Sequence, residues 1–129
     1  MKVLHIVGGG LSGGAARGAY WLHQGLRQIG IDSRLFVQKS GINDENIISL
    51  SGSRKGNFQQ ILLSAIDQIP AWFYKNRNKK FYSAGICGYN PVKTQAYKEA
   101  DIIHLHWINN GMLSIKKKKK MQKPVVWTM

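Results

Sequence analysis

A run of glycines between an apolar segment and a helical pattern dictates how this chain begins to fold. Residues 2–7 are rich in Val and Ile, which predicts a short buried strand ending at the glycine loop, residues 8–14. Beyond the loop, apolar residues recur at spacings of three and four, which predicts an amphipathic helix. They are Ala15, Ala19, Leu22, Leu26 and Ile29. With a second strand at residues 33–37, the N-terminal segment predicts a parallel βαβ unit.

The rest of the chain continues this alternation of strands and helices. Further strands are expected at residues 46–50, 101–107 and 124–129, and helices at residues 58–73, 93–99 and 112–122. Pro70 should kink or interrupt the long helix, because proline lacks a backbone N–H.

The pattern predicts an α/β fold with an open parallel, Rossmann-like sheet of strand order 3-2-1-4-5. A chain of 129 residues is long enough for one domain, residues 1–129, and too short for two well-buried cores. Parallel sheets normally cover their strands with helices, and this chain stops on a predicted strand. We therefore expect an N-terminal piece of a longer protein, incomplete at its C-terminus.

Composition excludes several classes of protein. Hydrophobic residues make up 43% of the chain, which is too many for a disordered protein. The single cysteine, Cys87, excludes a disulfide scaffold. No apolar run approaches the ~20 residues that span a bilayer, and the N-terminus lacks the pattern of a signal peptide. We expect a soluble, cytoplasmic protein.

The net charge of +13 is concentrated in the second part of the chain, where 14 of the 19 Lys and Arg residues follow residue 50. Such a field favours an anionic partner. A nucleotide, a nucleic acid and an acidic membrane surface all satisfy this requirement.

The glycine loop has the composition of a phosphate-binding turn. Glycines permit a tight turn and let backbone N–H groups approach a phosphate, and the following helix N-terminus favours negative charge. Gly8, Gly10 and Gly13 fit the pattern G-x-G-x-x-G. The alternative is a tight turn with no ligand. Arg17, one turn into the helix, is either a further anion contact or a solvated helix residue.

Two familiar phosphate sites do not fit. A dinucleotide site needs an acidic residue at the end of the second strand, where this chain has Gln38 and Lys39, and Asp32 lies at the wrong end of that strand. A P-loop needs Gly-Lys-Ser/Thr after the glycines, and none follows.

Several runs resemble the N-terminal part of bacterial group 1, or family 4, retaining glycosyltransferases of GT-B architecture. The runs are Ser-Gly-Gly-Ala-Ala-Arg at residues 12–17, Asp-Ile-Ile-His-Leu-His-Trp at residues 101–107 and Lys-Pro-Val-Val-Trp-Thr at residues 123–128. The first two are typical of enzymes that build exopolysaccharide or lipopolysaccharide. The resemblance covers nearly the whole chain.

The resemblance implies two Rossmann-like domains with a cleft between them. This chain would be the acceptor-side domain, and a missing C-terminal domain would hold most of the nucleotide-sugar, the co-substrate. By resemblance, Gly13 and Gly14 lie beside the donor diphosphate. The candidate phosphate site comprises Ser12, Gly13, Gly14 and Arg17. The acceptor would be a glycan or a lipid-linked sugar. No further cofactor and no metal are implied.

The resemblance assigns no catalytic residue to this chain. The donor-binding domain and its paired glutamates are absent, and so is the histidine that the family usually places just after the last strand seen here. We therefore expect the isolated chain to transfer no sugar from a nucleotide-sugar.

Histidines mark the predicted sheet. His104 and His106 share a face of one strand, and His5 lies on the first strand, which is adjacent to it in the predicted order. A zinc site is conceivable but disfavoured, because no Cys or carboxylate completes it and parallel strands are mostly core. Of these histidines, we favour a ligand role for His106 alone. His106 and Trp107 are the candidate residues on the acceptor side. His106 lies at the carboxyl end of its strand, where α/β sheets bind ligands. The alternative is a hydrogen-bonded core histidine.

Two segments of the chain are rich in basic residues. Residues 72–82 mix aromatic and basic side chains, which predicts a peripheral contact with the anionic inner face of the membrane, with RNA stacking or an ordinary helix end as alternatives. Residues 116–120 are five consecutive lysines, so Lys118 or Lys119 should point where a helix buries apolar side chains. This run is too short and isolated to predict a specific nucleic-acid partner.

The sequence thus favours the acceptor-side portion of a glycosyltransferase. One alternative is a stand-alone Rossmann module that binds a nucleotide phosphate or a flavin. Another is a basic protein that associates with membrane or RNA without catalysis.

Overall fold

The computed structural model describes residues 1–73 and 83–128. Within these ranges the strands are β1 (Lys2–Gly10), β2 (Asp32–Lys39), β3 (Ile47–Ser49), β4 (Ile102–Leu105) and β5 (Val125–Trp127). The helices there are α1 (Gly14–Gln28), α2 (Arg54–Trp72), α3 (Gln95–Glu99) and α4 (Ile115–Lys118). Short 3-10 turns lie at Leu50–Gly52 and Pro91–Lys93.

The five strands form one parallel sheet in the order β3-β2-β1-β4-β5. The predicted α/β class, strand order and parallel pairing are confirmed. The register places His5 of β1 directly opposite His104 of β4. Because the carboxyl ends of parallel strands share one edge, the glycine loop and the segment after β4 lie side by side.

Each face of the sheet carries its own set of buried side chains. Leu4 and Ile6 of β1 belong to the larger apolar cluster, which includes α3 and the segment before α4. Its members are Leu4, Ile6, Phe36, Ala96, Tyr97, Ala100, Ile103, Leu105, Ile108, Met112 and Leu113. The smaller cluster lies under α1 and consists of Val7, Ala16, Ala19, Leu35, Val37 and Ile47. Since strand side chains alternate, His5 lies on the α1 side, as do His104 and His106.

Helix α1 buries only part of the predicted stripe, since Ala19 is buried and Leu26 half-buried but Ala15 is exposed. Ala16, Ala19 and His23 are its buried residues, whereas Leu22 and Ile29 are exposed. The physical reason is position: α1 packs over β1 and β2, so the neighbouring stripe of the helix looks out over β4 and β5. That stripe borders a groove between α1 and β5.

Of the two effects expected of Pro70, a kink or an interruption, the interruption does not occur. Helix α2 continues past the proline and ends within one turn of it, at Trp72. Its buried residues are Asp67 and Ala71. Most of its predicted apolar face is exposed, namely Phe58, Ile61, Leu62, Ile69, Trp72 and Phe73. Asp67 accepts hydrogen bonds from the Ser83 hydroxyl and the Ile86 amide, which fasten α2 to the segment that follows. Among the described helices, none combines the length and apolarity needed to cross a bilayer.

The lysine run forms a single helical turn, α4, which is much shorter than the predicted helix. Lys117 is half-buried and donates to the Gly88 carbonyl. Lys118 places its ammonium 3.6 Å from the ring centroid of Trp127, a cation–π contact. Of the two lysines expected to point toward the sheet, Lys118 is half-buried and lies over Trp127 of β5, and Lys119 is exposed.

Candidate functional site

The glycine loop divides into two parts with different roles. Gly8 is packed against the segment after β4: its amide donates to the Trp107 carbonyl, and a β-carbon there would lie 2.8 Å from the carbonyl oxygens of Trp107 and Asn109. Gly9 has φ +80°, a left-handed conformation that favours glycine. These two glycines allow β1 and the segment after β4 to approach closely.

Gly13 and Gly14 face open space. Neither has a positive φ, and a β-carbon at either position would meet nothing within 4 Å. A side chain could therefore be accommodated at either position without backbone strain. Gly13 is the N-cap of α1 with φ −77°, and no side chain caps the helix. The first turn of α1 also contains no acidic residue, so nothing local neutralises its positive end.

A cavity of about 470 Å³ lies over this helix end. It is lined by Gly8, Gly9, Gly10, Ser12, Gly13, Gly14, Ala15, Ala16 and Trp107. Ser12, Gly13 and Gly14 therefore lie around one cavity with Trp107. The cavity is lined by glycines, alanines, one hydroxyl and one aromatic ring, and it lies at the positive end of α1, where an anion is favoured over a cation.

A second, larger groove of about 650 Å³ adjoins the cavity and runs between α1 and β5. It is lined by Ala15, Gly18, Ala19, Leu22, His106, Trp107, Ile108, Asn109, Trp127 and Thr128. Ala15 and Trp107 line both spaces, so the cavity at the helix end opens beside the groove. The groove is mainly apolar, with His106, Asn109 and Thr128 as its polar groups, a composition typical of organic ligand sites.

Arg17 lies apart from both spaces. It is exposed, and its guanidinium lies 6.0 Å from the ring centroid of Trp21 on the same helix. In this conformation it does not line the cavity, so the structure does not bring Arg17 to the predicted phosphate site.

All four histidines of the chain lie in one cluster on the α1 side of the sheet. His5 Nδ1 and His106 Nε2 are 3.1 Å apart and share a hydrogen bond. The rings of His104 and His106 are stacked with centroids 4.1 Å apart, and His104 Nε2 is 2.7 Å from the Thr128 hydroxyl. His23 Nδ1 bonds the Ser33 hydroxyl at 2.8 Å.

This cluster favours neutral imidazoles. Burial, aided by the nearby rings of His106, His104 and His23, lowers the pKa of His5 from 6.5 to about 3. Burial and the neighbouring His104 lower the pKa of His106 to about 4. Burial also lowers the pKa of His104 and of His23. His106 is therefore a buried, hydrogen-bonded histidine that also lines the groove, and its predicted ligand role stays a prediction.

Gln38 is a residue whose role sequence reasoning missed. It is buried at the end of β2, where its side-chain oxygen accepts from the Gly9 amide and its side-chain nitrogen donates to the Asn110 carbonyl at 2.8 Å. A dinucleotide site would place a ribose-binding carboxylate at this strand end. Here the position is occupied by the Gln38 side-chain amide, which links β2 to Gly9 of β1 and to Asn110 after β4. The only sequence signal was the absence of an acid.

Residues 74–82 of the predicted membrane-contact segment lie outside the described residues, which include only Trp72 and Phe73 of that run. Trp72 is 64% exposed and Phe73 is 83% exposed.

No family model, no curated protein and no solved structure matches this chain. The parallel sheet expected from the glycosyltransferase resemblance is confirmed, and the rest of that resemblance stays a prediction.

Proposed function

We propose that this chain is the acceptor-side portion of a GT-B-type glycosyltransferase that transfers a sugar from a nucleotide-sugar to a glycan or lipid-linked acceptor in cell-surface polysaccharide synthesis. One observation carries the proposal: the uncapped N-terminus of α1 opens into a cavity that adjoins an apolar groove. A phosphate site next to an organic ligand site is what sugar transfer from a nucleotide diphosphate requires.

In this proposal the two spaces have different tasks. The amides near Gly13 and Gly14, with the Ser12 hydroxyl, face the donor diphosphate, whose negative charge grows as the sugar leaves. The groove beside His106 and Trp107 takes the acceptor. The aromatic ring of Trp107 borders both spaces, which suits a sugar that moves from one to the other. The paired glutamates and most donor contacts would come from a second domain.

The experiment that tests this proposal uses Gly14→Val. A side chain there points into open space, so it should leave the fold intact and obstruct only a ligand in the cavity. We expect inorganic pyrophosphate to shift the NMR amide signals of Gly13, Gly14 and Ala15, and Gly14→Val to weaken this binding about tenfold or more. In a fusion of this chain to the donor-binding domain of a GT-B enzyme, kcat should fall about a hundredfold.

The matched control is Gly25→Val, which lies on the same helix and also meets nothing within 4 Å. It should leave pyrophosphate binding and kcat per folded molecule unchanged. Equal binding by wild type and Gly14→Val, or shifts confined to the lysine run, would contradict the assignment of the cavity to phosphate.

The same titration separates this proposal from a stand-alone nucleotide- or flavin-binding module. An acceptor-side domain supplies contacts to the diphosphate alone, so UDP, GDP and pyrophosphate should bind with similar affinity. A stand-alone module recognises the base and ribose as well and should prefer one nucleotide or flavin strongly. The engagement of Gln38 with Gly9 and Asn110 argues against such ribose recognition.

We also propose that helix α2 contacts an anionic membrane surface, where a lipid-linked acceptor resides. The support is the exposed apolar face of α2 together with the net charge of +13. Ile61→Glu should weaken binding to anionic phospholipid vesicles about tenfold or more, since Ile61 is 69% exposed and would lose its burial in lipid.

The control is Gln59→Glu, which introduces the same charge at an exposed position on another side of α2. A vesicle sedimentation assay at low and high salt compares them. If both variants bind the vesicles with equal affinity, net charge alone accounts for the attraction, and α2 is not the contact surface.

A further inference from the structure

We infer that His5, His104 and His106 form a binding site for a divalent transition metal ion, with zinc as the expected occupant. One ring nitrogen from each histidine lies within 4.8 Å of the others. The inference is independent of the glycosyltransferase proposal, which needs no metal.

The geometry is close to what zinc requires. With Zn–N bonds of about 2.0–2.1 Å, ligand atoms in a tetrahedral site are about 3.3 Å apart. His5 Nδ1 and His106 Nε2 are already 3.1 Å apart, and His104 is stacked on His106. To bind an ion, the half-buried His104 ring would have to turn out of this stack, and the ion would replace the proton shared by His5 and His106.

The surroundings of His104 resemble those of a metal ligand. Ligating histidines usually hydrogen-bond their other ring nitrogen to an oxygen, which fixes the tautomer and the ring orientation. His104 Nε2 bonds the Thr128 hydroxyl at 2.7 Å, which leaves Nδ1 free to bind the ion.

From the sequence, a zinc site was disfavoured because no Cys or carboxylate completes it and because parallel strands are mostly buried. Neither point excludes the site in this fold. Three histidines form a complete protein ligand set when water or a bound ligand takes a remaining position. His106 lines the groove, which provides a path for the ion and a place for that additional ligand.

The test is a titration of the full chain, purified without a histidine tag and freed of metal with a chelator. We expect one equivalent of Co²⁺ to produce the visible absorption of a four- or five-coordinate complex, and Zn²⁺ to displace it. His104→Gln should lower Zn²⁺ affinity by at least about a hundredfold, and Thr128→Val by about tenfold because it removes only the orienting hydrogen bond. His104 is chosen because it is half-buried and tolerates substitution better than His5.

The control is Asn109→Ala, which removes an exposed polar side chain from the same groove and should leave metal affinity unchanged. Circular dichroism confirms that each variant is folded. The absence of stoichiometric Co²⁺ binding, or equal Zn²⁺ affinity in wild type and His104→Gln, would overturn the inference.

Discussion

Acidification from pH 7.5 to 5 in the presence of a chelator is expected to lower the free energy of unfolding by roughly 4 kcal/mol. The cause is the buried histidine cluster. In the unfolded chain His5 and His106 take up protons near pH 6.5, whereas in the folded protein their pKa values are about 3 and about 4. Each contributes about 2 kcal/mol at pH 5, since one pKa unit corresponds to about 1.4 kcal/mol.

The sign follows from which state binds more protons. Between pH 6.5 and about 3 the unfolded state does, so stability rises with pH in this window and is lost as the pH falls through it. The groups that face His5 are His104 and His106 from β4 and His23 from α1, and Arg27 lies close enough to His23 to lower its pKa further. Nearby histidines that became charged would repel one another.

Urea denaturation at several pH values measures this effect, and NMR titration of the imidazole signals locates it. His23→Gln should flatten the pH dependence less than His106→Gln, because burial lowers the pKa of His106 to a value as low as about 4. Equal stability at pH 7.5 and pH 5, or imidazoles that titrate near pH 6.5 in the folded state, would contradict the prediction.

The second large effect is expected at Gly8, where valine should destabilise the fold by about 4 kcal/mol. A β-carbon at this position would lie 2.8 Å from two backbone carbonyl oxygens, those of Trp107 and Asn109. Backbone atoms cannot rotate away as a flexible side chain can, so β1 and the segment after β4 would have to separate. The Gly8 amide would then lose its bond to the Trp107 carbonyl.

Gly14→Ala is the matched control from the same loop. Its β-carbon meets nothing within 4 Å, and it lies in the first turn of α1, so alanine should stabilise the protein slightly, by about 0.5 kcal/mol. Thermal and chemical denaturation of the two variants measures the contrast. A Gly8→Val protein as stable as wild type would show that the close approach at Gly8 is not required.

The sheet and its order were predictable from sequence because their causes are local. An apolar run, a glycine loop and a helical stripe occur within residues 2–29, and handed crossover connections then favour parallel neighbours. Local pattern also placed His104 and His106 on one strand face, since side chains alternate along a strand. The same reasoning put the glycine loop at the carboxyl edge of the sheet.

Other features were not predictable, because they depend on which elements cover which faces. The buried face of α1 was predicted only in part, with Ala19 right and Ala16 and His23 missed, since its orientation is set by the position of α1 over β1 and β2. The apolar residues of α2 were expected to be buried, yet no described element covers most of them. Periodicity identifies an amphipathic helix but does not show what it packs against.

The sequence by itself determined the parallel α/β sheet and the glycine loop that ends its first strand, because both follow from short-range periodicity and backbone chirality. Only the tertiary structure decided how the loop is used and how the histidines meet. Gly8 and Gly9 allow β1 to approach the segment after β4, whereas Gly13 and Gly14 line the cavity. His5 Nδ1 lies 3.1 Å from His106 Nε2. These contacts join β1 to residues about a hundred positions later, and the register of such long-range pairing is set by packing across the whole sheet rather than by any local pattern.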